Sequence, residues 1–190
     1  MNKLTKEQEI IKLIFKDFLT HYNSRSISKP INISRVWAFK VFKNLEKREI
    51  VKSEKIGNAI IYSLNLDNPV THKEIELILI IEAENFRRWK EEFKELEKKV
   101  NFLILFGSIT RNEKTARDID LLIVANSKKL KEIEKIIEKL QRYTSKKIHP
   151  LIQTMKDFKK DLNKKNKTII DIIKTGIVLF GQEEFRKALK

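Results

Sequence analysis

The chain has 190 residues, 41% of them hydrophobic and 35% charged, which suits two small domains or one medium one and excludes global disorder. Cysteine is absent, so disulfides, thiolate metal sites and cysteine nucleophiles are excluded. Lys+Arg number 41 against 26 Asp+Glu, a formal net charge of +15 that points to a polyanionic partner such as nucleic acid, a nucleotide or an anionic surface.

Residues 5–19 read as a helix, because Ile10, Ile11, Ile14, Phe15 and Phe18 recur at helical spacing and Thr5 can cap the start. The polar stretch His21–Lys29 ends at Pro30 and reads as a turn or a very short element. A second helix is expected over 34–48, capped by Asn32 or Ser34, with Ala38, Val41, Phe42 and Leu45 as its inward stripe. Val51–Lys55 and Ala59–Leu64 are β-rich and are joined by Ile56-Gly57-Asn58, which predicts a hairpin.

Asp67-Asn68-Pro69 breaks the chain and is the expected domain boundary. Residues 71–99 predict one long helix or two in succession, a connector that can support dimerisation. From residue 100 strands alternate with helices. The strands are Phe102–Phe106, Ile119–Val124 and Lys147–Gln153; the helices run over 127–143, from Thr154 to about 162, and from Thr168 to just before Gly176. A short apolar segment, Ile177–Phe180, and a terminal helix close the chain. The expected division is 1–68, a connector 69–99, and 100–190. The start of the chain lacks the apolar stretch of a signal peptide, and the longest apolar run, Leu77–Ile81, is too short to span a bilayer. The expectation is a soluble, cytoplasmic protein without membrane association.

Helix, turn, helix and two-stranded hairpin is the order of a winged helix-turn-helix, which residues 5–66 resemble, with Ser34–Val51 matching its recognition helix and the turn into the wing. A departure is Glu49, where many members of that family carry Gly. A helix N-terminus in the major groove brings Ser34, Arg35 and Trp37 near base edges and phosphates. Lys40, Lys43 and Asn44 lie off the inward stripe, where lysines neutralise backbone charge, and the hairpin adds Lys55 and Asn58. Trp37 and Phe39 are expected as core or domain contacts rather than base-stacking groups. The resemblance implies double-stranded DNA as partner.

The most informative stretch is Leu105–Val124, in which an apolar strand runs into Gly107-Ser108, followed by Asp118-Ile119-Asp120 on the next strand. Gly107 lets backbone approach a phosphate closely. Ser108 stands where a helix should begin, and helix amides favour anions. Two carboxylates two apart on a strand share a face and repel unless a cation lies between them; Mg²⁺ held with triphosphate oxygens is the natural choice. Arg111 can brace a phosphate.

Residues 100–185 resemble the minimal nucleotidyltransferases of the polymerase-beta-like superfamily. The resemblance implies an α/β fold with a mixed sheet, Asp118 and Asp120 as catalytic metal ligands, Gly107, Ser108 and Arg111 at an NTP (ATP by expectation), and transfer of a nucleotidyl group to a hydroxyl, which can lie on a protein. Active members place a third carboxylate on the following strand. Here that strand, Lys147-Ile148-His149-Pro150-Leu151-Ile152-Gln153, has no acid. His149 is chemically competent as a base, Asp157 falls on the following helix, and Asn112 and Arg117 replace the usual Gly and Ser. The pairing of the two parts resembles a group of archaeal two-domain proteins; symmetric operators favour a homodimer, which the connector can supply. The pairing leaves three functions open: a DNA-binding nucleotidyltransferase, a DNA-binding transcriptional regulator whose second domain is catalytically degenerate and serves nucleotide sensing or dimerisation, or a protein-interaction scaffold.

Overall fold

The structure is a computed structural model that describes residues 3–189. It is an α+β protein in two compact units, residues 3–78 and 79–189.

The first unit has three helices and a hairpin. Helix α1 (Lys6–Lys16) opens with Thr5 and Gln8 in a reciprocal capping box. Helix α2 (Ser24–Ile31) lies where the sequence suggested a turn. Asn23 caps it by accepting from the Arg25 and Ser26 amides, and Ile27 and Ile31, one turn apart, are buried. Pro30, in the last turn, removes the amide that would donate to the Ser26 carbonyl, and Asn32 closes the helix in the left-handed conformation. Asn32 is therefore the end of α2, and Ser34 is the cap of helix α3 (Arg35–Lys47). Ala38, Val41, Phe42 and Leu45 of α3 are buried as the spacing predicts. Strands β1 (Val51–Ile56) and β2 (Ala59–Leu64) pair antiparallel around the two-residue turn Gly57-Asn58. Phe42 stacks on Tyr62 of β2 with centroids 3.9 Å apart, and the Tyr62 amide donates to the Tyr22 carbonyl, so the segment before α2 is tied to the hairpin.

The end of α3 is a Schellman turn. The Ile50 amide donates to Leu45 O and the Glu49 amide to Glu46 O, while Ile50 and Leu45 are both fully buried. Glu49 carries the left-handed φ of 58°, so the turn keeps the geometry that glycine favours although the residue is not glycine. Its carbonyl accepts from the Asn65 and Asn68 side chains, and Asn68 in turn caps helix α4 (Pro69–Glu84) through the Val70 amide.

The division between the units falls within α4. Helix α5 (Arg87–Glu92) and a 3-10 turn (Lys94–Leu96) follow. Their charged surface hides Trp89, Phe93 and Leu96, which are buried in the core of the second unit. That core is built on a four-stranded mixed sheet of order β5-β4-β3-β6: β3 (Phe102–Phe106), β4 (Asp118–Ala125), β5 (Lys147–Thr154) and β6 (Ile177–Phe180). Only β4 and β5 are parallel, linked through helix α6 (Leu130–Gln141). Pro150 sits on β5 at the sheet edge, where a missing amide costs least. One sheet face, with Leu103, Leu105, Ile119, Leu121 and Ile123, packs on Trp89, Phe93, Ile133 and Ile136. On the other, Phe102 meets Phe158 and Phe185 edge-on, from helices α7 (Met155–Asn163) and α9 (Gln182–Ala188). Helix α8 (Lys167–Thr175) leads into β6. Among the described residues no helix is long and apolar enough to cross a membrane.

Holding a side-chain-bearing residue in the left-handed region costs about 1–2 kcal/mol, partly offset by the greater unfolded-state entropy of glycine. Glu49→Gly is therefore expected to stabilise the first unit by roughly 0.5–1 kcal/mol, seen as a higher urea midpoint by circular dichroism. A midpoint lowered by the substitution would show that the Glu49 side chain outweighs the strain.

Candidate functional site

β3 ends and β4 begins at the same end of the ladder they form, with Phe106 registered against Asp120. Gly107 follows directly, and its φ of 79° turns the chain out of the strand. A Cβ built on Gly107 would overlap Asp120 Oδ2 and stand 3.1 Å from its Cγ. The Asp120 carboxylate thus rests against bare backbone, in a space that any side chain at 107 would fill. Asp118 and Asp120 share one face of β4 and are half-buried, whereas Ile119 between them is fully buried on the other. The burial of Ile119 fixes the parity, so a slip of one residue would turn both carboxylates inward.

The continuous helix expected at Ser108 is absent. Gly107–Thr110 forms a single 3-10 turn, too short for a helix dipole to favour an anion there. Thr110 Oγ1 donates to the Gly107 carbonyl at 2.9 Å, closing the turn, and Ile109 is buried beneath it. Ser108 and Arg111 are exposed on this turn, with the Arg111 amide on the Ser108 carbonyl. The loop to β4 is organised by Asn112, whose side chain accepts from the Lys114 amide and whose carbonyl accepts from the Ala116 amide. Arg88 pairs with Glu113, and Lys146 donates to the Ala116 carbonyl. Arg117 is exposed.

The neighbouring strand β5 places Lys147 opposite Asp118 and His149 opposite Asp120. His149 Nδ1 lies 3.6 Å from Asp120 Oδ1, beyond hydrogen-bond distance. Asp157 is at the first turn of α7 and accepts from Thr154 Oγ1 at 2.6 Å. Among the described residues no group of three His, Cys, Asp or Glu side chains is arranged to hold a metal ion. The two carboxylates suit a Mg²⁺ that brings its remaining oxygen ligands from a triphosphate and water, which is how Mg²⁺ is commonly held. They do not form a closed protein cage.

The sequence profile of the family described as "Polymerase beta, Nucleotidyltransferase" matches residues 88–185. The chain belongs to this family. The matched nucleotidyltransferase region begins within α5 and so takes in Trp89, Phe93 and Leu96 of the core. No curated protein and no solved structure matches the chain.

In the first unit, α3 displays its remaining candidate residues on the side away from the core. Val36, Lys40 and Lys43 stand opposite the buried stripe, with Arg35 and Phe39 on one flank and Trp37 and Asn44 on the other. Trp37 and Phe39 are 39% and 43% exposed, which overturns the expectation of core contacts: the small core of this unit is filled by Phe42, Leu45 and Tyr62 instead. The Ser34 hydroxyl is occupied by the Trp37 amide at 3.1 Å. Lys43 pairs with Glu46 at 2.8 Å, which raises the lysine pKa by hydrogen bonding and charge. Arg35, Phe39 and Asn58 line a cleft of about 250 Å³ with Asn23, Ser24 and Arg25 of α2; Lys55 is exposed beside the hairpin tip. Sequence reasoning missed Ser24 and Arg25 because it missed α2, although the Asn23/Ser26 capping box was a readable signal.

Gly107→Ala forces Asp120 aside and is expected to destabilise the second unit by about 1–3 kcal/mol. Combining it with Asp120→Ala should recover part of the loss, giving coupling of at least ~1 kcal/mol in a double-mutant cycle of denaturation midpoints. Additive losses would show that the two groups do not press on one another.

Proposed function

We propose that the chain is a DNA-binding protein whose nucleotidyltransferase domain binds an NTP with Mg²⁺ and transfers its nucleotidyl group to a hydroxyl. The domains of this reading are a winged helix-turn-helix over 1–68, a connector over 69–99, and the nucleotidyltransferase domain over 100–190. The observation that carries the catalytic half is the Asp120 carboxylate resting on Gly107, with Asp118 beside it on the same strand face.

In this reading Asp118 and Asp120 hold the metal. When bound, Mg²⁺ supplies charge neutralisation for the triphosphate and the leaving pyrophosphate. Gly107 gives the phosphates access to backbone, the Ser108 hydroxyl donates to a phosphate oxygen, and Arg111 offsets its charge. The acceptor oxygen forms a bond to the α-phosphorus as the bond from phosphorus to the bridging oxygen breaks. Pyrophosphate leaves, and the hydroxyl proton passes to water. Three helices followed by a hairpin, with exposed Arg35, Lys40 and Lys43 on α3 and a cleft against the hairpin tip, support the winged-helix half. Ser34, Trp37, Asn44, Lys55 and Asn58 complete that face, and a palindromic site would call for a homodimer.

A second reading has its own observation. Lys147 and His149 occupy the β5 positions opposite the two carboxylates, where active members of the family place an acid. A lysine there lends positive charge and offers no carboxylate oxygen to a metal. On this reading the domain senses nucleotide without turning it over, and the protein is a transcriptional regulator.

Incubation with NTP labelled in the α-phosphate and Mg²⁺ separates them. The enzyme reading expects covalent label in an acceptor, lost at least ~100-fold on Asp118→Asn/Asp120→Asn. The regulator reading expects nucleotide binding that the same variant weakens, with no label transferred. Absence of nucleotide binding in the wild type would sink both. For the first unit, Arg35→Ala/Lys40→Ala should weaken duplex DNA binding and lower its salt dependence by about 2 logarithmic units per decade. Unchanged affinity and slope would remove DNA from the assignment.

A further inference from the structure

Helix α7 and the turn into α8 carry six lysines within Met155–Lys167: Lys156, Lys159, Lys160, Lys164, Lys165 and Lys167. All six are exposed. Lys156, Lys160 and Lys164 are spaced four apart, with Lys159 beside them, so they form one ridge along the helix at steps of about 6 Å. Phe158, on the opposite side, is fully buried. The segment's two acids lie one turn from Lys160 and Lys164 but pair with neither: Asp157 accepts from Thr154 Oγ1 at 2.6 Å and Asp161 from Gln153 Nε2 at 2.7 Å. Among the described residues none of the six ammonium groups has an ion-pair or hydrogen-bond partner.

The segment of α6 over 131–139 is different. There lysines alternate with glutamates, and Lys139 is paired with Glu95 at 2.9 Å. Three glutamates offset three lysines there, whereas residues 155–167 set six lysines against two aspartates, so the net positive charge is concentrated on the α7–α8 segment. The turn adds a second feature. The Lys165 amide donates to Leu162 O and the Asn166 amide to Asp161 O, a helix-ending turn in which Lys165 holds a φ of 51°. Glycine is the ordinary occupant of that position; here a cation is kept in it despite the steric cost of a Cβ.

We infer that the α7–α8 ridge is a phosphate-backbone site for a nucleic-acid duplex, carried by the nucleotidyltransferase unit itself. A protein partner fits poorly, since lysine is depleted at protein interfaces. A lipid surface fits poorly too: interfacial helices need an exposed apolar face, and of the large apolar groups of α7, Phe158 is buried and Met155 and Leu162 are half-buried. No aromatic side chain is exposed along the ridge, so there is no platform for unstacked bases. The ligand is thus a paired backbone, read without regard to sequence. This site is independent of the face on α3, and each can fail alone.

The test uses the full chain, short labelled duplexes of DNA and of RNA in arbitrary sequence, and fluorescence anisotropy between roughly 50 and 200 mM salt. Lys156→Glu/Lys160→Glu/Lys164→Glu is expected to weaken duplex binding at least tenfold and to lower the logarithmic salt slope by about 2 to 3. The three Lys→Arg changes should preserve both. The loss should add to that of Arg35→Ala/Lys40→Ala. The milder Lys→Ala triple variant gives the same reading should charge reversal impair folding, which circular dichroism reports. Wild-type affinity and slope in the Glu and Ala variants would overturn the inference. So would a loss confined to phosphatidylserine vesicles, which would make the ligand a membrane.

Discussion

β3 and β4 pair antiparallel through five registered positions, from Phe102 with Val124 to Phe106 with Asp120, and both faces of that pair are covered. Ten side chains meet there, and all except Phe106 and Asp120 at the end of the ladder are fully buried. Burying a residue of this kind is worth about 1.5–3 kcal/mol, so the register is held by far more free energy than any polar group at the edge can oppose. The last rung is therefore fixed by hydrophobic packing, and the carboxylates inherit their place from it. Glycine at 107 completes the constraint, because the chain leaves β3 in a left-handed conformation directly over Asp120.

From that rung the rest of the site is a matter of neighbours. β5 is an edge strand, exposed along much of its length, so its residues can vary without disturbing the core. This explains why β5 can carry Lys147, His149 and Pro150 beside an intact β3–β4 pair. The fold of a nucleotidyltransferase and its full set of catalytic groups are separable properties. In this chain the elements that make the fold are strongly specified, and β5 is the least buried of the four strands in its sheet.

Much of this was legible in the residues themselves. Apolar runs located β3, β4 and β6, the alternation around Ile119 gave the shared face of Asp118 and Asp120, and Thr5, Ser34 and Thr154 marked helix starts that each make their side-chain cap. Two kinds of feature were not legible. Short polar helices such as α2 carry only two buried residues, Ile27 and Ile31, too few for a periodic signal; their stability comes from caps and from the surface they dock on. The turn after Gly107 resembled a helix start in composition, yet Thr110 closes on Gly107 and the chain departs after one turn. Trp37 and Phe39 were misjudged because large apolar side chains are read as core, whereas three short helices and a hairpin have little interior to give them. Glu49 shows the converse: a residue with the wrong propensity holds the expected geometry because Ile50 and Leu45 demand it.

The pairing of β6 with β3 joins Leu103 to Phe180, across most of the second unit. During synthesis β3 emerges long before its partner on that edge exists. For that interval the nascent chain presents Phe102–Phe106, an apolar strand with one side of its backbone open, the kind of edge that recruits other chains. β4 follows soon and covers the other side, but the β6 side stays open until translation has passed Phe180. The first unit, made earlier, closes over a shorter span, its longest described backbone tie joining Tyr22 to Tyr62. The ribosome's pace over the intervening residues, including the lysine-rich α7–α8 segment, thus sets how long that side of the strand stays unpaired.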